Sequence, residues 1–352
     1  MTTGRCTRNM MTGGPYDLSA LASTSVVVVA ALLTALLIVV LLPWLTRVAL
    51  AKPNARSSHR VPTPQGGGIA VIVATLVTAG AAFQVFSFNA LTMPIPAIAI
   101  AVIAMACLGA AADIKPLPVG LRLLLQAAII EGVLYAMPTG LHVVPAIPLW
   151  IERYVLLIGA LWFVNLVNFM DGIDWMTVAE VIPLTAALAI LGFADRLPAY
   201  ATVLSLALGG ATAGFAWFNR PVARIFLGDV GSLSIGLILG ILLLFVAGGG
   251  HPVAALIMPL YYLADATITL LRRVVRGEKI TQAHRTHFYQ RATDKGFTVM
   301  DIVTRVFAIN LGLGALAILT VVVPGRASSV AALIASVALV GWLLFAFERG
   351  KA

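Results

Sequence analysis

Ser25-Val-Val-Val-Val-Ala-Ala-Leu-Leu-Thr-Ala-Leu-Leu-Ile-Val-Val-Leu-Leu42 carries neither charge nor proline. As a helix rising 1.5 Å per residue, it is long enough to cross the apolar interior of a bilayer. The rest of the chain agrees with it. Of 352 residues, 61% are apolar and 11% charged, and no charged residue occurs between Val61 and Ala112. The composition is that of an all-α, polytopic integral membrane helix bundle. A formal charge of +9 can signal nucleic-acid binding. Here, however, the basic residues sit in short gaps between apolar runs, which points to membrane topology and to no nucleic acid. Cys6 and Cys107 are far apart and suggest neither a disulfide framework nor a thiolate metal site.

Apolar runs predict spans over residues 25–46, 67–87, 95–112, 118–137, 154–170, 175–193, 198–217, 233–249, 252–271, 300–323 and 328–347, about eleven helices in all. Alternate gaps then hold 18 of the 23 Lys and Arg on one side. By the positive-inside rule the N-terminus lies outside and the C-terminus in the cytoplasm. Residues 1–24 read as a disordered polar tail, with Met10 or Met11 as alternative starts, and 25–349 as one transmembrane catalytic domain. Its cytoplasmic loops fall near 47–66, 113–118, 171–175, 218–232 and 272–299. Every polar cluster lies on that side, so the active site is expected at the cytoplasmic face.

The densest cluster is Asn165-Leu-Val-Asn168-Phe-Met-Asp171-Gly-Ile-Asp174. Asn165 and Asn168 share the i, i+3 spacing of a helix face, and Asp171 and Asp174 repeat it around Gly172. A single such residue is an ordinary polar helix end. Four together suit a hard cation such as Mg²⁺, bound through one or two carboxylates and completed by substrate phosphates. Asp229, between Gly228 and Gly231, adds another carboxylate, and Ser232 follows as a candidate helix cap. Gly66-Gly-Gly68, after Arg56, His59 and Arg60, offers backbone N–H groups to an anion. In the longest hydrophilic stretch, His284-Arg-Thr-His287 lacks a third zinc-like ligand, which favours phosphate or sugar contact. Asp113 and Asp265 lie near cytoplasmic helix ends. Glu131, deep in its span, reads as a hydrogen-bonding residue of the bundle interior. Acids able to hold Mg²⁺, ringed by basic residues at a membrane face, suit the joining of two phosphates, one dissolved and one in lipid.

These motifs, with Phe226-Leu-Gly-Asp229-Val-Gly-Ser232, resemble the polyprenyl-phosphate N-acetylhexosamine-1-phosphate transferases, glycosyltransferase 4-type, from about Pro53 to Arg291. The form Gln282-Ala-His-Arg-Thr-His-Phe-Tyr-Gln290 is similar to the branch that initiates O-antigen or related surface glycans. The resemblance implies a multi-pass enzyme of the inner membrane. It would transfer a sugar 1-phosphate from a UDP-N-acetylhexosamine to undecaprenyl phosphate with Mg²⁺, or Mn²⁺ in its place, and release UMP. Its implied catalytic residues are Asp113, Asp171, Asp174 and Asp229, with Asp229 and Asp171 on the metal. Substrate contacts fall to Asn165, Asn168, Asn219, His59, Arg60, His284, Arg285, His287 and Arg291. A homodimer is also consistent with the family.

One departure stands out. The family carries adjacent aspartates where this chain has Ala112-Asp113. A phosphate monoester has its second pKa near ~6, so the lipid phosphate is already mostly dianionic at neutral pH. Direct attack by that phosphate, with Asp113 orienting it, is therefore expected over a covalent aspartyl intermediate. Two alternatives are a catalytically weakened scaffold that binds polyprenyl phosphate, and a transporter of lipid-linked sugars.

Overall fold

The computed structural model describes residues 20–51, 62–86, 94–115, 117–279 and 284–351. His59 and Arg60, and the expected tail up to residue 19, lie outside them. The described residues form thirteen helices. Ten are long and apolar enough to cross a membrane: α1 (Ala20–Val48), α2 (Gly67–Val85), α3 (Ile95–Ile114), α4 (Val119–Ala136), α5 (Leu149–Met170), α6 (Met176–Phe193), α7 (Ala199–Asn219), α8 (Asp229–Gly248), α12 (Val299–Val322) and α13 (Arg326–Arg349). Two short strands, β1 (Leu50–Ala51) and β2 (Thr63–Pro64), pair antiparallel beside the start of α2.

Two expectations change in detail. The first helix already includes Ala20, ahead of the expected 25, and the hydroxyls of Thr24 and Ser25 bond back to the carbonyls of Ala20 and Ala22 within it. The expected span 252–271 is divided into α9 (Pro252–Ile257) and α10 (Leu260–Val275). Pro259 sits at the break, where it lacks the N–H that would continue the ladder. Between α10 and α12 lies the short α11 (Phe288–Asp294).

α8 is the axis of the bundle, with most of its residues buried against α2, α3, α5 and α9. Close approach explains its glycines. A Cβ on Gly68 would lie 2.3 Å from the Cα of Gly231, and one on Gly109 would lie 2.4 Å from the carbonyl oxygen of Asp229. Small residues at these positions let three helix backbones converge where α8 begins. Outward faces carry Leu32, Leu36, Leu124, Ile158 and Phe345, all exposed as lipid-facing residues should be.

Two sequence readings are corrected here. Glu131 is exposed on the outside of α4 rather than inside the bundle, because α4 packs inward through Gln126, Ile130, Val133 and Leu134. The glycine run does not offer free donors either. Gly66 and Gly67 donate to the carbonyl of Phe226 and Gly68 to that of Leu227, while Phe226 donates to Pro64. Its N–H groups tie α2 to the segment leading into α8.

Candidate active site

The site forms where the ends of α3 and α5 meet the beginning of α8. Gly228 turns the chain at φ 79°, and Asp229 then opens α8. A helix start has unpaired N–H groups, and here another helix supplies their acceptor. Asp113, at the end of α3, accepts from the N–H of Asp229 at 2.9 Å through Oδ1 and from that of Val230 at 3.2 Å through Oδ2. Gln65 donates its Nε2 to the same Oδ1 at 2.6 Å. Both oxygens of Asp113 are thus engaged in capping α8.

The Asp229 side chain points the other way. Asn168 donates its Nδ2 to Asp229 Oδ1 and to Ser232 Oγ, both at 2.8 Å, and Arg122 Nη1 lies 3.4 Å from Asp229 Oδ2. Asp171, at the end of α5, accepts from Thr177 Oγ1 at 2.5 Å. Burial pushes the Asp171 carboxyl up to about 7. The Thr177 hydrogen bond opposes the rise, and the charges of Asp229, Asp113 and Asp174 add to it.

Not every expected residue joins this group. Asn165 turns to α4, donating to Gln126 Oε1 at 2.7 Å and to the Leu161 carbonyl at 2.8 Å. Asp174 accepts from the Ala223 N–H at 3.0 Å. Asn219 is buried, accepting from Trp175 N–H at 2.8 Å and donating to the Ile225 carbonyl at 2.9 Å. Asn219 and Asp174 together hold the 219–228 segment over the 171–175 turn.

The histidine segment docks on that same turn. Tyr289 donates its hydroxyl to the Phe169 carbonyl at 3.0 Å, and a Cβ on Gly172 would lie 2.2 Å from that hydroxyl oxygen. His287 is buried, with Nδ1 3.2 Å from Asp265 Oδ1, and its ring stacks on His284 at 5.1 Å. His284 is half-buried, and burial, with His287 and Arg273 nearby, pushes its imidazole down to about 4. Arg285 pairs with Asp294 at 3.0 Å and Arg291 with Glu348 at 3.0 Å. Sequence reading missed Gln65, Arg122, Gln126 and Thr177, and it took Ser232 for a helix cap, whereas α8 already begins at Asp229 and Ser232 Oγ donates back to the Gly228 carbonyl. The signal for two of them was present, since Arg122 and Gln126 are polar residues one turn apart in an otherwise apolar run.

Among the described residues, no three His, Cys, Asp or Glu side chains are arranged to hold a metal. The donor chemistry nonetheless suits a hard divalent cation. Asp171 and Asp229 present carboxylate oxygens within mutual electrostatic reach, the hard oxygen donors that such an ion takes. A polytopic helical membrane protein with an acidic site at one end of the bundle is the class these features define.

Residues 95–247 match the family model described as glycosyl transferase family 4. A phospho-N-acetylmuramoyl-pentapeptide-transferase of Brachyspira hyodysenteriae is 36% identical over 122 residues, 31% of each chain. A second of that name, from Bartonella quintana, is 31% identical over 163 residues, 42% of this chain and 45% of that protein. A probable undecaprenyl-phosphate N-acetylglucosaminyl 1-phosphate transferase of Bacillus subtilis is 25% identical over 271 residues, 72% of this chain and 73% of that protein. The chain thus spans less than half the length of these two pentapeptide transferases and nearly three quarters of the Bacillus protein. Over residues 95–247 it is similar to glycosyl transferase family 4, and over longer stretches to these sugar-1-phosphate transferases.

Proposed function

We propose that this protein transfers an N-acetylhexosamine 1-phosphate from a UDP-sugar to undecaprenyl phosphate at the cytoplasmic face of the inner membrane. The observation that carries the reading is the Asn168–Asp229 hydrogen bond within electrostatic reach of the Asp171 carboxyl, where α3 and α5 end and α8 begins. In the reaction an oxygen of the lipid phosphate attacks the phosphorus that bears the sugar. The bond from that phosphorus to the bridging oxygen breaks, and UMP leaves with the bond's electron pair. No base is needed, because the attacking phosphate is largely dianionic at neutral pH.

Asp229 and Asp171 would hold Mg²⁺, which supplies charge neutralisation for the two phosphates when bound. Asn168 fixes the Asp229 carboxylate, and Arg122 beside it offers positive charge to an incoming phosphate. Asp113 acts through the backbone of α8, holding Asp229 in place. His284, half-buried at the polar end of the bundle, is the better placed of the two histidines to meet the donor. The motif around His284 favours the branch that initiates O-antigen or related surface glycans. Alignment with the Bacillus protein over most of the chain favours a UDP-N-acetylhexosamine donor.

The test is incubation of the purified protein with undecaprenyl phosphate, Mg²⁺ and a panel of UDP-N-acetylhexosamines, followed by mass spectrometry of the lipid fraction. A lipid heavier by one sugar phosphate supports the proposal and names the sugar. Ala112 favours a second reading, a scaffold that binds polyprenyl phosphate, and unmodified lipid with every donor would support that instead.

A further inference from the structure

Asp265 is fully buried on the inward face of α10, 22 residues before His287, and takes no part in the acidic site around Asp229. α10 is turned inside out relative to a soluble helix. Its polar Tyr261, Tyr262, Asp265, Thr269 and Arg273 face inward, and Leu271, Val274 and Val275 face out. A carboxylate in such a place must be satisfied by protein groups. Asp265 Oδ1 lies 3.2 Å from His287 Nδ1, accepts from the Phe288 N–H at 3.0 Å, and has Thr269 Oγ1 at 3.4 Å. Oδ2 accepts from the Tyr289 N–H and the Tyr261 hydroxyl, both at 3.2 Å. The carboxylate therefore takes the first free N–H groups of α11 and one ring nitrogen of His287 together.

The next links reach the site. Tyr289 donates to the Phe169 carbonyl, and Phe169 stands two residues before Asp171. His287 stacks on His284, which is half-buried. We propose that Asp265 is the positioning residue for the donor side of the site: it fixes His287 and the first turn of α11, and through them sets His284 and the Phe169–Gly172 turn. The nucleotide sugar is dissolved and approaches from the polar end, whereas the lipid phosphate arrives from the bilayer. Loss of Asp265 should therefore weaken donor recognition selectively. This inference rests on the transferase reading for its kinetics, but UDP binding tests it independently.

The experiment uses the full chain in detergent micelles or nanodiscs, native and as Asp265→Asn, His287→Ala and the double variant. UDP binding is measured by calorimetry, and KM is measured for the UDP-sugar and for undecaprenyl phosphate. Asp265→Asn is expected to weaken UDP binding and raise the donor KM by roughly tenfold or more, the loss of a buried charge-assisted contact, with the lipid KM within about twofold of native. The double variant should be no worse than the poorer single one, because the two residues act as a unit. Losses that multiply, or a lipid KM that rises with the donor KM, would overturn the proposal. Should Asp265→Asn not fold, Tyr289→Phe removes the hydroxyl that joins α11 to the Phe169 carbonyl, the Gly172 backbone and the Gln290 side chain. It should still raise the donor KM selectively, and unchanged donor binding in that folded variant also overturns the idea. If the native protein turns over no donor yet binds UDP through Asp265, the transferase reading fails and this inference stands. Normal turnover with no Asp265 effect gives the reverse.

Discussion

The carboxylate of Asp113 accepts the backbone N–H of Asp229 at 2.9 Å, so the last acid of one membrane helix caps the first residue of another. Their side chains have opposite duties. Asp113 is spent on Gln65 and two backbone donors, whereas Asp229 turns toward Asn168 and Arg122.

That division predicts opposite effects on stability. Asp113→Ala leaves two helix-start donors and Gln65 without their acceptor, and should cost ~1–3 kcal/mol. Asp229→Ala removes one of the acids that crowd Asp171, and should leave the thermal midpoint unchanged or raised while abolishing UMP release. Thermal unfolding of both variants in the same detergent checks the contrast. Equal destabilisation by the two would refute it.

Backbone convergence gives a second prediction. Gly109→Ala places a methyl 2.4 Å from the Asp229 carbonyl oxygen and 2.6 Å from Val230 Cα, atoms with no freedom to rotate away. Overpacking of this kind costs ~1–3 kcal/mol and should shift the start of α8, lowering turnover as well. Gly120 has no heavy atom within 4 Å of its would-be Cβ, so Gly120→Ala is the matched control. It should be neutral or stabilising by ~0.5–1 kcal/mol through helix propensity.

His284 makes stability depend on acid in a stated direction. Its imidazole lies at about 4 in the folded protein, against ~6.5 in an unfolded chain. Between those values the unfolded state binds more protons, so the His284 contribution is complete above pH ~6.5 and is lost as pH falls toward 4. Thermal midpoints measured from pH 7.5 to 4.5 should fall less steeply for His284→Gln than for the native protein. Superimposable curves would contradict the assignment.

Much of this was readable in the chain itself. Uncharged runs located the spans, because bilayer thickness fixes their length, and the grouping of Asn168, Asp171 and Asp229 followed from polar residues having nowhere else to go in lipid. What escaped sequence reading depended on partners distant in the chain. Asn165 and Asn168 share a spacing, yet three residues of helix leave them ~60° apart. That angle sends Asn165 to Gln126, on α4, and Asn168 to Asp229. The glycines at 66–68 looked like an anion site until Phe226 and Leu227 claimed their N–H groups. Asp265 was visible as an acid near a helix end, but its acceptor role required knowing where His287 would fold.

Ala112 supplies a further prediction. On the proposed mechanism the lipid phosphate needs no base, so restoring the acid in Ala112→Asp should change the rate of UMP release by less than about tenfold. A native protein that is inert but becomes active as Ala112→Asp would instead assign the missing carboxylate an essential role.

The role proposed for Asp229 is a cation-assisted transfer between two phosphates. It is tested most directly by UMP release from UDP-N-acetylhexosamine with undecaprenyl phosphate, with and without Mg²⁺, for the native protein beside Asp229→Ala. Release is expected to require both the metal and Asp229. Release that persists in EDTA, or undiminished in Asp229→Ala, would contradict it.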